Sequence, residues 1–163
     1  MKKILVASFS HSGNTKALAG TIAQATGADL FEIKTVRQYP SAYNAVVEQA
    51  KREQNANERP ELAAKVADMA AYDTVFVGYP NWWATMPMGV FTFLESYDFA
   101  GKTVIPFCTH EGSGLGRSVR DIRQLCPGSA VSDGLAVRGG SVHGAQGEVL
   151  AWLQQIGMDI GQA

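Results

Sequence analysis

Apolar and polar positions follow two different patterns along the chain. Some stretches are continuously apolar over a few residues, which is typical of buried strands. In others, apolar residues return every three to four positions, which is typical of amphipathic helices. The predicted strands are 3–9, 29–34, 74–79, 103–108 and 130–137, and the predicted helices are 14–26, 41–54, 60–71, 87–96, 115–125 and 145–156. This alternation indicates an α/β fold with crossover units on a parallel sheet.

The predicted strands differ in how continuously apolar they are, and this difference predicts their order in the sheet. Ile4–Phe9, Val75–Val77 and Val104–Phe107 are continuously apolar, as expected for interior strands that helices cover on both faces. Segments 29–34 and 131–135 mix apolar and polar residues, as expected at sheet edges. The predicted order is therefore 2-1-3-4-5, in a doubly wound, five-stranded parallel sheet. We expect the whole chain, 1–163, to form one domain.

The connection 35–73, between the second and third strands, is longer than one crossover requires. It carries two helical patterns, which the polar stretch Glu53–Arg59 and Pro60 separate. Because a crossover needs only one helix, we interpret 41–54 as an inserted element. Packing is its expected role, and a lid or a partner surface is the alternative.

A small polar loop follows the first strand and leads into the first helix. It reads Ser10-His11-Ser12-Gly13-Asn14-Thr15. The N–H groups at a helix N-terminus and the helix dipole favour an anion, and Gly13 permits a left-handed turn. The hydroxyls of Ser10, Ser12 and Thr15 are hydrogen-bond donors. Because the first cationic side chain is Lys16, we predict a phosphate site made mainly of neutral donors; ordinary helix capping is the alternative.

Two further loops reach the same edge of the predicted sheet, where ligands bind in open parallel sheets. The second loop follows strand three and includes Pro80, Asn81, Trp82, Trp83 and Ala84. The third follows strand four and includes Thr109, His110, Glu111, Gly112, Ser113 and Gly114. An indole suits a planar heteroaromatic ligand, and the N–H groups of a glycine-rich loop suit the polar edge of such a ligand. Sealing the top of the sheet and forming a flexible turn are the alternative roles of these loops.

Composition and charge are those of an ordinary globular protein. Apolar residues make up 46% of the 163 positions and charged residues 18%, which excludes a disordered chain. The net charge of −1 does not indicate nucleic acid or an anionic membrane as a partner, and no stretch is long enough to predict a membrane span. Cys108 and Cys126 have neither metal-ligand nor C-x-x-C spacing. We therefore expect reduced, buried thiols, a cytoplasmic protein and no metal site.

Together the three loops resemble those of the flavodoxin family, and the resemblance extends from about Lys3 to Ile156. The family's phosphate signature, T/S-x-T/S-G-x-T, is matched at Ser10, Ser12, Gly13 and Thr15. The G-x-P-x-W-W segment of a flavodoxin-like subgroup is similar to Gly78, Pro80, Trp82 and Trp83, and 109–114 looks like that subgroup's third loop. The resemblance implies a flavodoxin-like fold and FMN as the cofactor. Its phosphate would lie on 10–15, and its ring between the second and third loops.

The chain departs from the electron-shuttle flavodoxins in three ways. Those shuttles are usually strongly acidic, whereas this chain is close to neutral. Their third loop commonly offers a tyrosine that stacks on the flavin, and 109–116 contains none. Their second loop often has a glycine whose peptide flips toward the reduced ring, and Pro80 and Asn81 stand near that point here. The near-neutral charge and the tryptophan-rich loop favour an enzyme more than they would in a typical flavodoxin.

Several side chains outside the loop signatures are further candidates. His11 and His110 suit hydrogen bonds to the cofactor or proton transfer. Arg138 and His143 suit the phosphates of a nicotinamide cofactor. For all four, a solvated loop position is the simpler interpretation. Trp152 lies on an apolar helical stripe and is assigned to the core.

Three functions fit the sequence. The first is an FMN-binding redox protein that transfers electrons between partner proteins. The second is an FMN-dependent oxidoreductase that takes electrons from NAD(P)H and reduces quinone-like acceptors. The third is a non-redox binding module on the same fold, against which the intact hydroxyls and Gly13 of the first loop argue. A receiver domain, a P-loop nucleotide hydrolase and a serine hydrolase are excluded, because the chain lacks the acidic cluster after strand one, G-x-x-x-x-G-K-[ST] and G-x-S-x-G.

Overall fold

A parallel β-sheet with helices on both faces forms the body of the protein. The computed structural model describes residues 3–158, which contain six strands and five α-helices. The strands are β1 (Ile4–Ser8), β2 (Asp29–Glu32), β3 (Thr74–Pro80), β4 (Thr103–His110), β5 (Ala130–Val131) and β6 (Leu135–Arg138). The helices are α1 (Asn14–Thr26), α2 (Tyr43–Asn55), α3 (Met88–Glu95), α4 (Ser118–Leu125) and α5 (Gln146–Gln155). The order β2-β1-β3-β4-β5, with β6 also paired to β4, confirms the predicted doubly wound arrangement.

Each interior strand divides its apolar residues between two hydrophobic clusters. Leu5 and Val75 contribute to the cluster that α3 and α4 cover. Their neighbours Val6 and Phe76 contribute to the cluster that α1 and α5 cover. Successive side chains of a strand point to opposite faces, so a strand buried on both sides must be continuously apolar. Trp152 of α5 packs edge-on against Phe76, which confirms its place in the core.

The fifth predicted strand, 130–137, forms two short strands instead of one. Strand β5 pairs with the start of β4, and β6 pairs with its end. The gap between them coincides with Pro106 of β4, which has no N–H group to donate. It also contains Asp133, whose carbonyl oxygen accepts a hydrogen bond of 3.1 Å from the Trp152 indole. The sheet therefore has six strands within 3–158 where the sequence predicted five.

The helix predicted over 60–71 is wrong. Val36 N–H donates to the Glu61 carbonyl at 2.8 Å, and Ala63 N–H donates to the Lys34 carbonyl at 2.7 Å. Backbone groups that bond across to this neighbouring segment are not available to close helical turns. Only Met69–Ala71 forms a 3-10 turn. The apolar residues of the segment still pack against the first cluster, so their spacing reflects burial rather than a helix.

The other helices begin and end within three residues of their predicted bounds. Helix α1 matches its prediction, α2 is shifted to Tyr43–Asn55, and α3 and α5 are each one residue shorter at both ends. Helix α4 begins at Ser118 because the preceding residues form a turn, in which Ser118 N–H donates to the Leu115 carbonyl at 3.1 Å. A 3-10 turn, Gly139–Gly144, precedes α5.

Candidate functional site

Three loops meet at the carboxyl ends of β1, β3 and β4, and α2 joins them. Together they enclose a cleft of about 810 Å³. From the three loops, the lining residues are His11, Ser12, Asn14, Pro80, Asn81, Trp82, Trp83, Thr109, His110, Glu111 and Ser113. From α2, they are Tyr43, Val46, Val47 and Ala50. The predicted loops therefore converge, and the inserted helix supplies a wall that the sequence did not assign to the site.

The first loop leaves a row of backbone N–H groups free at the start of α1. Gly13 has a φ of +98°, in the left-handed region that glycine adopts without strain. The Ser10 hydroxyl oxygen accepts hydrogen bonds from the N–H groups of Gly13 at 3.1 Å and Lys16 at 3.3 Å. Within residues 3–158, no hydrogen-bond acceptor is found for the N–H groups of His11, Ser12, Asn14 and Thr15. Free N–H groups at a helix N-terminus form an anion site.

The Thr15 side chain links the first loop to the third instead of facing the cleft. It is 2% exposed, and its hydroxyl shares a hydrogen bond of 2.8 Å with the buried hydroxyl of Thr109. The Thr15 hydroxyl, which the sequence suggested as a ligand donor, thus fixes the distance between two loops. Its backbone N–H remains among the free ones.

The cationic side chains near the first loop are engaged at the sheet edge. Lys16 Nζ lies 2.8 Å from a Glu32 carboxylate oxygen, and Lys34 Nζ lies 3.1 Å from the other. Hydrogen bonds from Lys16 and then Lys34 lower the pKa of Glu32. In the described part of the chain, neither lysine nor arginine lines the cleft; Lys16 and Lys34 line a smaller cavity that Ser10 and Gly13 also border.

Asn81 joins the second loop to the third. Its side-chain Nδ2 donates to the Gly114 carbonyl at 2.7 Å, and its backbone N–H donates to the Thr109 carbonyl at 2.8 Å. Its Oδ1 accepts a hydrogen bond of 3.0 Å from Ala84 N–H. Because protein groups use both ends of the amide, Asn81 fixes the separation of the two loops.

Trp83 and Ala84 occupy the two central positions of a tight turn and have positive φ angles of 54° and 72°. Left-handed backbone in residues other than glycine costs about 1 kcal/mol each, so the surroundings must hold the turn. The end of the third loop holds this turn through close backbone contacts. Arg117 N–H donates to the Ala84 carbonyl at 2.8 Å, and a Cβ on Gly116 would lie 2.2 Å from that same oxygen.

The two adjacent indoles have different surroundings. Trp82 packs edge-on against Phe9, Tyr39 and His11, with ring centroids 5.5, 5.1 and 6.0 Å away. Trp83 is 44% exposed, and its Nε1 donates to the Val47 carbonyl of α2 at 3.0 Å. Trp82 therefore belongs to an aromatic cluster beside the first loop, whereas Trp83 connects the second loop to α2.

A buried carboxylate fastens α2 to the same aromatic cluster. Glu53 is 5% exposed, and its carboxylate accepts hydrogen bonds from the Tyr39 hydroxyl and from Gln49 Nε2, the latter at 3.2 Å. Burial, and then the hydrogen bond to Glu53, raise the pKa of Tyr39 well above its usual value. The Tyr39 hydroxyl therefore stays protonated and remains a donor to Glu53.

The third loop places one histidine with a defined ring nitrogen at the cleft. His110 Nδ1 accepts a hydrogen bond of 2.9 Å from Gly112 N–H, so a neutral ring carries its proton on Nε2. Of the other predicted basic residues, His11 also lines the cleft, whereas Arg138 and His143 lie outside the lining. Arg138 donates to the Glu111 carbonyl at 3.3 Å, and His143 is exposed in the 3-10 turn after β6.

The comparison with known proteins decides the family. The sequence model of one family, described as flavodoxin, matches residues 3–156. The chain belongs to the flavodoxin family.

Solved structures of the flavodoxin fold agree with this assignment. A protein from Bacteroides eggerthii DSM 20697, assigned as a flavoprotein, is 32% identical with a TM-score of 0.82, over 98% of this chain and 100% of its own. One from Bacteroides uniformis ATCC 8492, assigned likewise, is 33% identical with a TM-score of 0.83, over 94% and 98%. A flavoprotein from Lactobacillus acidophilus NCFM, solved in complex with FMN, is 24% identical with a TM-score of 0.71, over 88% of this chain and 98% of its own. At this identity the similarity is one of fold. No curated protein matches the chain significantly.

Some residues predicted for the flavodoxin-like site shape the loops without lining the cleft. Ser10 and Gly13 form the turn of the first loop, and Ala84, Gly112 and Gly114 occupy left-handed positions in the other two. The wall residues of α2 were not predicted as part of the site. Their spacing, positions 43, 46, 47 and 50, is the i, i+3, i+4, i+7 stripe of a helix face, but a stripe alone does not say which surface it covers.

Neither cysteine thiol lines the cleft. Cys108 and Cys126 are free and buried, and burial raises the pKa of each to about 12. They therefore remain protonated near neutral pH.

None of the helices described between residues 3 and 158 combines the length and apolar character needed to cross a membrane.

Proposed function

We propose that this protein binds FMN and uses it to transfer electrons. The observation that carries the proposal is the row of free N–H groups at the start of α1, beside a cleft of about 810 Å³. Small-molecule sites usually measure about 300–1,000 Å³. A phosphate there would accept hydrogen bonds from the free N–H groups of the first loop, and the dipole of α1 would add to the attraction. Membership of the flavodoxin family and the FMN complex of the Lactobacillus acidophilus protein support this cofactor.

The ring of FMN would lie between the second and third loops. Asn81 holds these loops at a fixed separation, and His110 offers an Nε2–H donor because its Nδ1 is engaged. Bound FMN supplies reversible electron transfer, which no side chain in the cleft provides. The protein would contribute a fixed slot, polar groups at the edge of the ring and shielding from water. In its simplest form, the function is electron transfer between partner proteins.

A second candidate is an FMN-dependent oxidoreductase that takes electrons from NAD(P)H and reduces a small acceptor. The wall that α2 adds favours this candidate, because it makes the site a cleft for a small molecule instead of an open edge. The net charge of −1 also provides little long-range attraction for an oppositely charged protein partner.

Binding of FMN and of riboflavin to the purified apoprotein tests the proposal. The two ligands share the ring and differ by the phosphate, so a phosphate site should make FMN bind more tightly. We expect at least about a tenfold preference, equivalent to about 1.4 kcal/mol. Equal affinities would contradict the role of the first loop, and failure of both ligands to bind would leave a non-redox module.

A second assay separates the two redox candidates. The protein loaded with FMN is mixed with NADH or NADPH, and with menadione as acceptor. Sustained oxidation of the nicotinamide supports the oxidoreductase. Its absence, together with reduction by a protein donor, supports transfer between partner proteins.

A further inference from the structure

A second, smaller cavity of about 220 Å³ lies beside the first loop, at the carboxyl ends of β1 and β2. The first loop separates this second cavity from the cleft, and His11 lines both spaces. A site for a whole small molecule usually measures about 300–1,000 Å³. The second cavity therefore suits one part of a ligand whose remainder lies in the cleft.

The register of the sheet brings two polar side chains to the second cavity. Ser8 of β1 is paired with Glu32 of β2, and paired residues of neighbouring strands point to the same face of a sheet. Val6, two positions before Ser8, belongs to the cluster that α1 and α5 cover. Ser8 and Glu32 therefore both lie on the α1 face, and both line the second cavity.

The second cavity contains hydroxyl groups that the protein does not use fully. Ser8 is 4% exposed, and its hydroxyl has no hydrogen-bond partner among the described residues. Every fully enclosed side-chain oxygen or nitrogen within 3–158 has a partner, so the Ser8 oxygen is open to the cavity that it lines. The Ser10 hydroxyl accepts from two N–H groups, but its own proton has no acceptor in the same part of the chain. A ligand there would meet two hydroxyl donors.

Two ammonium groups and one carboxylate complete the second cavity. Lys16 and Lys34 both form ion pairs with Glu32, which leaves a local excess of one positive charge. The two lysine side chains are 67% and 68% exposed, and an ion pair between exposed side chains contributes at most about 1 kcal/mol. Either lysine can therefore turn from Glu32 to a phosphate at little cost.

This set of groups matches a ribose with its phosphate. In doubly wound folds that bind dinucleotides, a carboxylate about 20 residues after the glycine-rich first turn accepts hydrogen bonds from ribose hydroxyls. Glu32, the last residue of β2, lies at about that distance from Gly13. The two lysines and the serine hydroxyls would donate to phosphate oxygens.

We propose that the second cavity holds the ribose phosphate of an adenylate group, so that the protein accepts FAD as well as FMN. This inference rests on the proposed function, because the flavin and its own phosphate would occupy the cleft and the first loop with either cofactor. A free adenine nucleotide carries the same ribose phosphate. The small volume of the second cavity favours the attached group, because a free nucleotide would bind through that part alone.

Isothermal titration calorimetry of the apoprotein with FMN and with FAD tests the second cavity. The variants are Ser8→Ala and Lys34→Gln, and Lys65→Gln is the matched control. Lys65 is exposed and lines neither the cleft nor the second cavity. In a separate titration, AMP is added to the protein loaded with FMN, which distinguishes a free nucleotide from the attached group.

We expect the unaltered protein to bind FAD at least as tightly as FMN. Lys34→Gln should weaken FAD binding by about tenfold, equivalent to about 1.4 kcal/mol, and Ser8→Ala by about fivefold. Both variants should change FMN affinity by less than about twofold, and Lys65→Gln should change neither affinity by more. AMP should bind at least about a hundredfold more weakly than FAD, because it has no link to the flavin.

Three results would overturn the assignment of the second cavity. One is FAD binding at least about tenfold weaker than FMN binding in the unaltered protein; tight AMP binding in that case would assign the second cavity to a separate nucleotide. Another is an equal loss of FMN and FAD affinity in Ser8→Ala and Lys34→Gln, which would assign it to the flavin phosphate. The third is a loss of FAD affinity in Lys65→Gln as large as that in Lys34→Gln. Failure to bind either flavin would contradict the proposed function itself.

Discussion

At the scale of single residues, the contact between the second and third loops depends on a position that a larger side chain cannot fill. The second and third loops approach so closely that Gly116 faces the Ala84 carbonyl oxygen, while Gly114 has open space around its Cα. Both glycines have left-handed backbone, with φ of +58° and +66°. They therefore form a matched pair that separates backbone strain from steric contact.

Replacing Gly116 with alanine should destabilise the protein more than replacing Gly114. Each alanine would adopt a left-handed conformation at about 1 kcal/mol, but only the Cβ at Gly116 would lie 2.2 Å from a backbone oxygen. The excess for Gly116→Ala should be roughly 1–3 kcal/mol. Urea unfolding of both variants measures this difference in the free energy of unfolding. Equal losses would show that the two loops are not in close contact.

Ser10 should matter for the phosphate more than for the ring. Its hydroxyl oxygen holds the N–H groups of Gly13 and Lys16, so Ser10→Ala removes the group that shapes the first loop. We expect FMN affinity to fall by about tenfold and riboflavin affinity by about twofold or less. Ser41→Ala, at an exposed position outside the cleft lining, is the control and should leave both affinities unchanged. A parallel loss of both ligands in Ser10→Ala would refute this role.

At the scale of elements, the sequence was informative wherever a local signal determined the structure. Helix α1 could be predicted from the polar residues at its start, and the interior strands from their continuous apolar runs. Both signals lie within the segment that they predict. The segment 60–71 was mispredicted because its backbone bonds to 34–36, a contact that its own spacing does not encode. The split of the fifth strand likewise coincides with Pro106 in a different strand.

The same distinction applies to the candidate site. Its three loops could be predicted because each follows a recognisable strand and their motifs resemble those of one family. The wall of α2 could not, because an apolar stripe is the same whether it faces a core or a cleft. What directs the stripe to the cleft is the hydrogen bonding of Trp83 and Glu53, which joins residues distant in the sequence.

Removal of the Tyr39 hydroxyl should loosen α2. Tyr39→Phe would leave the buried Glu53 carboxylate with one donor fewer, at a cost of about 1–3 kcal/mol. Tyr72→Phe is the matched control, because that hydroxyl bonds to Asp29 at the exposed surface and its loss should cost less than about 1 kcal/mol. Hydrogen exchange of the α2 amides, measured with global stability, would show the local effect. Unchanged exchange and stability in Tyr39→Phe would contradict this account of how α2 is held.

At the scale of the whole molecule, the buried thiols couple stability to pH. Burial raises the pKa of Cys108 and Cys126 to about 12, above the ordinary value of 9.0. A group whose pKa is raised by folding contributes stability below its unfolded pKa, and this stability is lost as the pH rises toward the folded pKa. The free energy of unfolding should therefore fall between about pH 9 and 12, while the thiols ionise only in the unfolded chain.

Cys126→Ala isolates this effect, because the tyrosines that also titrate at high pH remain in the variant. The decrease in unfolding free energy from pH 8 to pH 10.5, taken from denaturation curves, should be smaller in Cys126→Ala than in the unaltered protein by about 1–2 kcal/mol, since a pKa shift of one unit corresponds to about 1.4 kcal/mol. Identical pH dependence in the two proteins would mean that the Cys126 thiol is not shielded from solvent.

A crystal structure of the protein with FMN tests the proposed cofactor site most directly. We expect the phosphate oxygens to lie within about 2.7–3.2 Å of backbone nitrogens of the first loop, among them those of His11, Ser12, Asn14 and Thr15, which are free in the present structure. We expect the ring to lie between Asn81 and His110, with α2 as a wall of the remaining space. A phosphate held elsewhere, or a ring outside this cleft, would rule out the proposed FMN site.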